Sequence, residues 1–262
     1  MKRSILVVAL AALILLVPQS ANGIAYGEPD NGEHPNVGSF VTEYDPPDGE
    51  PYLIQLCTGT LIDENVVLSA SHCFSGLPSV FGRTWFTLDE VIDADQDGAV
   101  DAGVNLMTGT PVIHPLFPST HNYAYDIAVF LLDEPVTGVE PAPVTGPGLF
   151  DGAGVQSATF TAVGYGTVRQ SNRKSSQAFT VGWRREKVDQ TLLSVTPRFV
   201  TFSMNLATGN GGTCYGDSGG PHFLGEVVVS TTITGDIPCK ASDKTYRLDT
   251  PWAQEFLAPY LP

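Results

Sequence analysis

Short segments rich in apolar and β-branched residues recur along the chain, and turn-forming residues separate them. Segments of this kind, ended by Gly, Pro, Asn or Asp, are typical of strands rather than of helices. We predict strands over residues 37–44, 52–62, 65–69, 84–91, 104–113, 127–132, 157–163, 198–205, 223–233 and 245–248. So many short strands at close spacing favour an all-β sandwich or barrel.

A proline-rich stretch with little apolar pattern interrupts the strands near the middle of the chain. Its prolines are Pro135, Pro141, Pro143 and Pro147. We interpret residues 135–148 as a segment that crosses between two β units of similar size, because such stretches are typical of linkers. The predicted units are residues 24–134 and residues 149–262.

One helix is predicted at the end of the chain. Thr250 is a favourable N-cap residue, and Pro251 suits the first helical position. Trp252, Phe256 and Leu257 then share one helical face. We expect this short helix to dock on the body of the protein.

The first 23 residues have the pattern of a secretory signal. Lys2 and Arg3 precede an uninterrupted apolar run over residues 5–17, which is too short to span a bilayer comfortably. Cleavage is possible after Ala21 or after Gly23, and we favour the second position. An uncleaved anchor is the alternative, which the short run and the polar flank disfavour.

Composition narrows the possible functions. Hydrophobic residues make up 42% of the chain and charged residues 16%, which excludes disorder as the main feature. Because the 27 glycines and 20 prolines leave little room for long helices, an all-α fold is excluded. The formal charge of −15 argues against a nucleic-acid partner or an anionic membrane surface. We interpret the cations between residues 169 and 187 as a solvated loop or strand face.

All four cysteines follow the predicted leader, so an oxidising compartment favours disulfides. Three connectivities are possible. We favour Cys57 with Cys73 and Cys214 with Cys239, since this pairing closes the two shortest loops. A zinc site is the alternative, and the absence of a C-x-x-C pair disfavours it.

Three short sequences carry candidate chemistry. They are LSASHC at residues 68–73, YDIA at residues 125–128 and CYGDSGGP at residues 214–221. In this order they resemble the motifs of the chymotrypsin/trypsin-like serine endopeptidases, and GTLI at residues 59–62 fits that family as well. The resemblance extends over nearly the whole chain after the leader. It implies an all-β fold of two packed six-stranded antiparallel barrels, with the site in the cleft between them.

The residue types also fit the chemistry that the resemblance implies. The Ser218 hydroxyl barely ionises at neutral pH, so it needs a neighbouring base, which is His72. A carboxylate, here Asp126, holds the imidazole in the correct tautomer and stabilises its cation. The backbone N–H groups of Gly216 and Ser218 would form the oxyanion hole. This chemistry requires no cofactor.

Other functions remain open at this point. The sequence GDSGG also satisfies the serine motif of α/β-hydrolases, but only His222 follows it, too close in sequence, and the alternating strand–helix pattern of that fold is missing. A protease-like binding protein without turnover and an esterase with poor peptidase activity are the remaining alternatives. We assign His34, His114, His121 and His222 to structural roles.

Residues 24–27, IAYG, resemble the start of mature proteases of this family. There the freed α-ammonium is buried beside the aspartate that precedes the catalytic serine. The corresponding pair here is Ile24 and Asp217. We hypothesise that signal cleavage after Gly23 itself creates this terminus.

Specificity is expected to differ from that of trypsin. In the family, the residue six positions before the nucleophile lies at the base of the primary pocket, and an Asp there selects Lys or Arg. Here it is Gly212, and Tyr215 is the second predicted pocket residue. Asp236 or Asp243 could supply an acid from elsewhere, and Lys244 could equally line the pocket wall.

An acidic segment between the histidine and the aspartate resembles the first half of a calcium loop. Its acids are Asp93, Asp95, Asp97 and Asp101. Gly98 stands at the turn, but the twelfth position is Val104, which disfavours an EF-hand. Since some family members carry a calcium loop here, structural calcium is one expectation, and an acidic solvated turn is the other.

We therefore expect a secreted serine endopeptidase that acts on protein or peptide substrates. We expect it to act as a monomer, without a nucleic-acid partner and without membrane association after the leader is removed.

Overall fold

The computed structural model describes residues 24–117, 123–169, 179–180, 182–237 and 239–261. The predicted leader and His121 lie outside the described residues. The strands are β1 (Glu28–Pro29), β2 (Val37–Tyr44), β3 (Tyr52–Asp63), β4 (Val66–Ser69), β5 (Phe81–Thr87), β6 (Gly109–Ile113), β7 (Ala128–Leu132), β8 (Thr159–Gly164), β9 (Val168–Arg169), β10 (Phe179–Thr180), β11 (Glu186–Val195), β12 (Phe199–Ser203), β13 (Pro221–Leu224), β14 (Val227–Gly235) and β15 (Ser242–Arg247). Helix α1 is Pro251–Leu257.

The strands form two large antiparallel sheets. The first has the order β5-β2-β3-β4-β7-β6 and is curled. The second has the order β1-β11-β12-β15-β14-β13-β8, and its six strands from β11 to β8 close into a barrel, because β11 pairs with both β12 and β8. Two six-stranded antiparallel units with a short C-terminal helix are what the resemblance implied, and this prediction is confirmed.

The start of the described chain lies on the second barrel. Strand β1 pairs with β11, with Glu28 opposite Lys187. The first residues of the predicted 24–134 unit therefore pair with the second barrel, and the division into units stays a prediction. The proline-rich segment crosses back: the Ala142 N–H donates to the Leu61 carbonyl of the first sheet, and the Thr145 N–H donates to the Val228 carbonyl of the second.

Strand β11 was missed in the sequence because its buried positions are polar. Glu186 and Gln190 are fully buried, and neither produces an apolar alternation. The prediction that the cations between residues 169 and 187 lie on a solvated loop or strand face is wrong for Arg185, which is buried and ion-paired with Asp30. The strand predicted over residues 223–233 is a hairpin, since Gly225 turns the chain between β13 and β14 with a φ of +62°.

An apolar cluster joins the two sheets and the helix. Leu68 and Val129 come from the first sheet, Val163 and Tyr246 from the second, and Leu257 from α1. All five are essentially fully buried. Burial on this scale stabilises the contact by roughly 1.5–3 kcal/mol for each large side chain. The Thr250 side chain caps α1 by accepting from the Ala253 N–H, so the predicted N-cap is confirmed.

The predicted disulfides are confirmed. Cys57 pairs with Cys73, and Cys214 pairs with Cys239. In the described part of the chain, no helix is both long and apolar enough to cross a bilayer.

Replacing both Cys57 and Cys73 by Ser tests the contribution of the first disulfide. Releasing a loop of this length is expected to lower the free energy of unfolding by about 3 kcal/mol. For a domain of this size the melting temperature would fall by roughly 6–12 °C. Thermal unfolding followed by circular dichroism measures this, and an unchanged melting temperature would contradict it.

Candidate active site

His72 lies directly after β4, in a single turn of 3-10 helix formed by Ser71–Cys73. Three contacts of this turn hold it in place. The Ser71 hydroxyl donates to the Ile127 carbonyl at 2.6 Å, the Cys73 sulfur is bonded to Cys57, and the His72 N–H donates to Asp126 Oδ1 at 3.0 Å. The imidazole therefore projects from a backbone that is tied to both neighbouring strands.

Asp126 precedes β7 and is fully buried. Its Oδ2 lies 2.7 Å from His72 Nδ1, whereas the His72 side chain is 29% exposed. A carboxylate oxygen this close to Nδ1 favours the tautomer that carries its proton on Nδ1, in which Nε2 is available as an acceptor. This is the tautomer that a general base requires.

Ser218 lies in the turn that leads into β13, on the other barrel. Its carbonyl accepts from the Thr58 N–H of the first sheet at 2.9 Å. Gly216 and Gly219 have φ values of +96° and +80°, which L side chains rarely adopt. A Cβ at Gly219 would also overlap the Ser69 hydroxyl. The glycines around the serine thus allow a turn that packs tightly against the first sheet.

His72 and Ser218 line one cavity of about 480 Å3. Its other walls come from Tyr123 ahead of β7, from both sides of the disulfide between Cys214 and Cys239, and from β14. They include Tyr123, Thr213, Tyr215, Ile233, Thr234, Gly235, Asp236 and Ile237. The structure therefore brings the predicted base and nucleophile to the same cleft between the two units.

The peptide group of Gly216 is held by two side chains that sequence reasoning missed. The Gly216 carbonyl accepts from Gln55 Nε2 at 2.8 Å and from the Thr58 hydroxyl at 3.0 Å. Fixing this carbonyl also fixes the orientation of the adjoining peptide groups. Gln55 lies on β3 of the other unit, and no local sequence pattern connects it with Gly216.

Asp217 is a fully buried carboxylate. It accepts from the Gly166 N–H at 2.7 Å and from the Cys214 N–H at 2.8 Å. Burial raises the pKa of Asp217 well above its usual range; nearby Asp243 and Glu186 add to the rise, and the two N–H donors oppose it. A carboxylate in this position is costly unless a cation neutralises it.

Ile24 is buried beside a second carboxylate that the sequence did not reveal. Its backbone nitrogen donates to Glu186 Oε2 at 3.2 Å. The next residue, Ala25, forms reciprocal hydrogen bonds with Gly212 at 2.9 Å each. The predicted pair of Ile24 with Asp217 stays a prediction, and the residue that the Ile24 nitrogen contacts here is Glu186.

Other histidines of the described chain have structural partners. His34 Nδ1 lies 2.5 Å from Asp30 Oδ1, and its ring stacks on Phe223. Burial raises the pKa of Asp30, but the hydrogen bonds from His34 and Arg185 outweigh it and lower that pKa to about 2. His222 is fully buried, and its Nε2 lies 2.7 Å from Gln190 Oε1 and 3.0 Å from Asp243 Oδ2.

The acidic loop is partly assembled. Carboxylate oxygens of Asp93, Asp95 and Asp101 lie within 4.8 Å of one another. Asp97 does not belong to this group; its Oδ1 accepts from the Ala99 N–H. Backbone N–H groups of residues 97 and 98 donate to Asp93, which orders the turn. Oxygen donors of this kind suit calcium.

Comparisons with known proteins agree with this geometry. The sequence model of the family described as Trypsin matches residues 31–254. A trypsin from Saccharopolyspora erythraea is 27% identical over 212 residues, which cover 78% of this chain and 82% of that protein. Glandular kallikrein-10 from Rattus norvegicus is 27% identical over 244 residues, which cover 87% and 88%.

Among solved structures, neuropsin, a serine protease expressed in the limbic system of mouse brain, has a similar fold. Its TM-score is 0.63 at 16% identity, and the match covers 89% of this chain and 100% of the other. The family match spans most of the sequence and includes His72, Asp126 and Ser218. The chain therefore belongs to the trypsin family of serine proteases.

Proposed function

We propose that this protein is a secreted serine endopeptidase that hydrolyses peptide bonds through an acyl-enzyme on Ser218. One observation carries the proposal: the buried Asp126 carboxylate is hydrogen-bonded to His72 at the edge of the cavity that also contains Ser218. An imidazole oriented in this way is suited to accept a proton on Nε2. Membership of a protease family supports peptide substrates.

In the proposed reaction the Ser218 oxygen attacks the scissile carbonyl carbon while His72 Nε2 takes the hydroxyl proton. The carbonyl oxygen gains the negative charge, and Asp126 stabilises the imidazolium. Collapse of this tetrahedral species breaks the C–N bond, and His72 gives the proton to the leaving amine. A water molecule then attacks the ester, again with His72 as base, and releases the acid and free Ser218.

The oxyanion would be held by the N–H groups of Gly216 and Ser218. Donors that point in advance at the developing charge stabilise the transition state, and losing one costs about 2.7–4 kcal/mol. Gln55 and Thr58 act here as positioning residues, since they hold the Gly216 carbonyl. Their hydrogen bonds restrict the backbone motion of Gly216 before the substrate binds.

Activation is proposed to follow from cleavage after Gly23. The new α-ammonium of Ile24 would supply the missing cation beside Asp217, and Glu186 would share it. The buried position of Ile24 and its contact with Glu186 support this arrangement. Secretion is supported by the leader-like residues 5–17 and by two disulfides, which are typical of oxidising compartments.

The triad is tested with a fluorophosphonate probe and a diverse peptide library. We expect the mature protein to be labelled on Ser218, and Ser218→Ala and His72→Ala to abolish labelling. Asp126→Asn should lower kcat by ~10⁴-fold because the imidazole adopts the wrong tautomer. Ser194→Ala, at an exposed position on β11, serves as the control.

The two possible negative results lead to different conclusions. An unlabelled wild-type protein would contradict the proposal and favour a binding protein. Turnover of esters without cleavage of any peptide would instead favour an esterase.

The activation pair is tested by N-terminal sequencing and by substitution. We expect the secreted protein to begin with Ile24, and Asp217→Asn to lower kcat/KM roughly 100-fold, because the Gly216 N–H loses its support. Asp189→Asn, an exposed acid on the same barrel, is the control. A first residue of Asn22, or one beyond Ile24, would exclude this route.

Structural calcium stays a prediction. If the acidic loop binds it, millimolar calcium should raise the melting temperature by roughly 5 °C or more over a chelated sample. Asp93→Asn should remove the effect, and Asp45→Asn, an exposed acid outside the loop, should keep it. Identical melting curves with calcium and with chelator would favour a solvated turn.

A further inference from the structure

We infer that a second cavity beside the active site binds an arginine of the substrate, on the leaving-group side of the scissile bond, and that Asp97 and Tyr52 select this residue. The inference rests on the proposed protease function and names the class of substrate that the site takes. The second cavity has a volume of about 770 Å3. Its walls include Gly216, whose N–H is the proposed oxyanion donor.

Tyr215 is the wall that the two cavities share. It lines the cavity that contains Ser218 as well as the second cavity, and it is 55% exposed. Its carbonyl accepts from the Thr167 N–H at 2.6 Å, and Thr167 also lines the second cavity. A peptide bound across Ser218 can therefore extend from one cavity into the other past Tyr215.

The two cavities are bounded by different units of the fold. The second barrel supplies most of the wall of the Ser218 cavity, whereas Tyr44 on β2 and residues 52 and 54–56 on β3 bound the second cavity. In the proposed reaction His72, which follows β4 of the first sheet, gives its proton to the leaving amine. The leaving segment of the substrate therefore lies over the first sheet, and its side chains reach the second cavity.

Among the residues that the structure describes, the second cavity has one charged wall residue, Asp97. Asp97 is exposed, and its Oδ1 accepts from the Ala99 N–H at 2.8 Å. The Val100 N–H donates to the Leu53 carbonyl at 2.8 Å, so the loop that carries Asp97 is fixed against β3. Asp97 lies outside the carboxylate cluster of its loop and remains on the cavity wall.

Two acidic loops flank this wall. Residues 45–51, which join β2 to β3, contain the exposed acids Asp45, Asp48 and Glu50, and residues 93–101 contain four aspartates. Neither loop contains a Lys or an Arg. Grouped charges of one sign raise the local concentration of a ligand of the opposite sign. The side chain that this surface fits is therefore cationic.

The aromatic walls favour arginine over lysine. The rings of Tyr44 and Tyr52 pack edge to face with their centroids 5.4 Å apart, and Tyr52 is 43% exposed. A guanidinium stacks on an aromatic face and binds a carboxylate through two hydrogen bonds, whereas an ammonium is a compact point charge. The apolar stem of an arginine can cover Ile54 and Leu56 on the same wall.

The expected preference is modest because water reaches these acids. We expect Arg to exceed Glu by about tenfold in kcat/KM at low ionic strength, and by about threefold or less in roughly 1 M salt, since salt screens exposed charges. Arg should exceed Lys by about threefold because it also stacks on the ring.

The experiment measures kcat/KM on peptides that share one acyl part and differ at a single position, which is Arg, Lys, Ala or Glu. That position is moved through the first three residues after the scissile bond, and a matched series varies the three residues before it. All assays contain a chelator, so that no divalent cation neutralises the acidic loop.

Active sites of the mature protein are first titrated with the fluorophosphonate. Absence of labelling, or of cleavage of any peptide, refutes the proposed function itself. Labelling and cleavage without a preference for Arg over Glu after the bond refute only the present inference. A preference for Arg confined to positions before the bond overturns it as well.

Substitution assigns the charge preference to Asp97. Asp97→Asn should lower the ratio of Arg to Glu turnover about threefold, because the charge on the cavity wall is lost. The amide oxygen of Asn can still accept from the Ala99 N–H, so the loop is kept. Asp189→Asn, at an exposed acid that lines a different cavity on the second barrel, is the matched control and should leave the ratio unchanged. A ratio in Asp97→Asn equal to that of the wild type would overturn the assignment.

A second pair of variants tests the aromatic wall. Tyr52→Ala should bring the ratio of Arg to Lys turnover from about threefold to near one, because the stacking face is lost. Tyr52→Phe keeps the ring and should keep the ratio. If Tyr52→Ala and the wild type give the same ratio, Tyr52 does not select the arginine.

Discussion

The candidate catalytic groups belong to different sheets, so everything at the site depends on how those sheets are held together. His72 and Asp126 flank strands of the first sheet, whereas Ser218 lies in a turn of the second barrel. The apolar cluster that contains Leu68, Ile127 and Val163 joins the sheets immediately behind these groups. Close-packed interiors deform little, so a packed interface of this kind sets the relative positions of the groups on either side.

Hydrogen bonds across the same interface refine that placement. Thr58 illustrates this best: its N–H binds the Ser218 carbonyl, and its hydroxyl binds the Gly216 carbonyl. Gln55 adds a second donor to Gly216. The first sheet therefore supplies the imidazole and also holds the backbone of the turn that carries the nucleophile. Apolar packing provides the general position, and these directional bonds provide the orientation that catalysis requires.

The second barrel has an unusually polar interior beside the site. Glu186, Gln190, Asp217, His222 and Asp243 are all fully buried. Buried polar groups are costly without partners, and most of these bind one another, backbone N–H groups or the Ile24 nitrogen. Among the described residues, His222 Nδ1 and Asp243 Oδ1 have no hydrogen-bond partner. The start of the chain is therefore tied to the buried polar interior of the second barrel.

The sequence by itself determined the all-β class, the capped C-terminal helix and the motifs that contain His72, Asp126 and Ser218, and it favoured one of three possible cysteine pairings. These features depend on local patterns: apolar alternation, N-cap chemistry, short loop closure and short motifs. Tertiary structure determined the features that local sequence patterns do not specify. Strand β11 was missed because its inward side chains are polar, and their burial is stabilised only by distant partners. The contacts of Gln55 with Gly216 and of Ile24 with Glu186 likewise join residues from separate elements, and only the folded chain brings them within hydrogen-bonding distance.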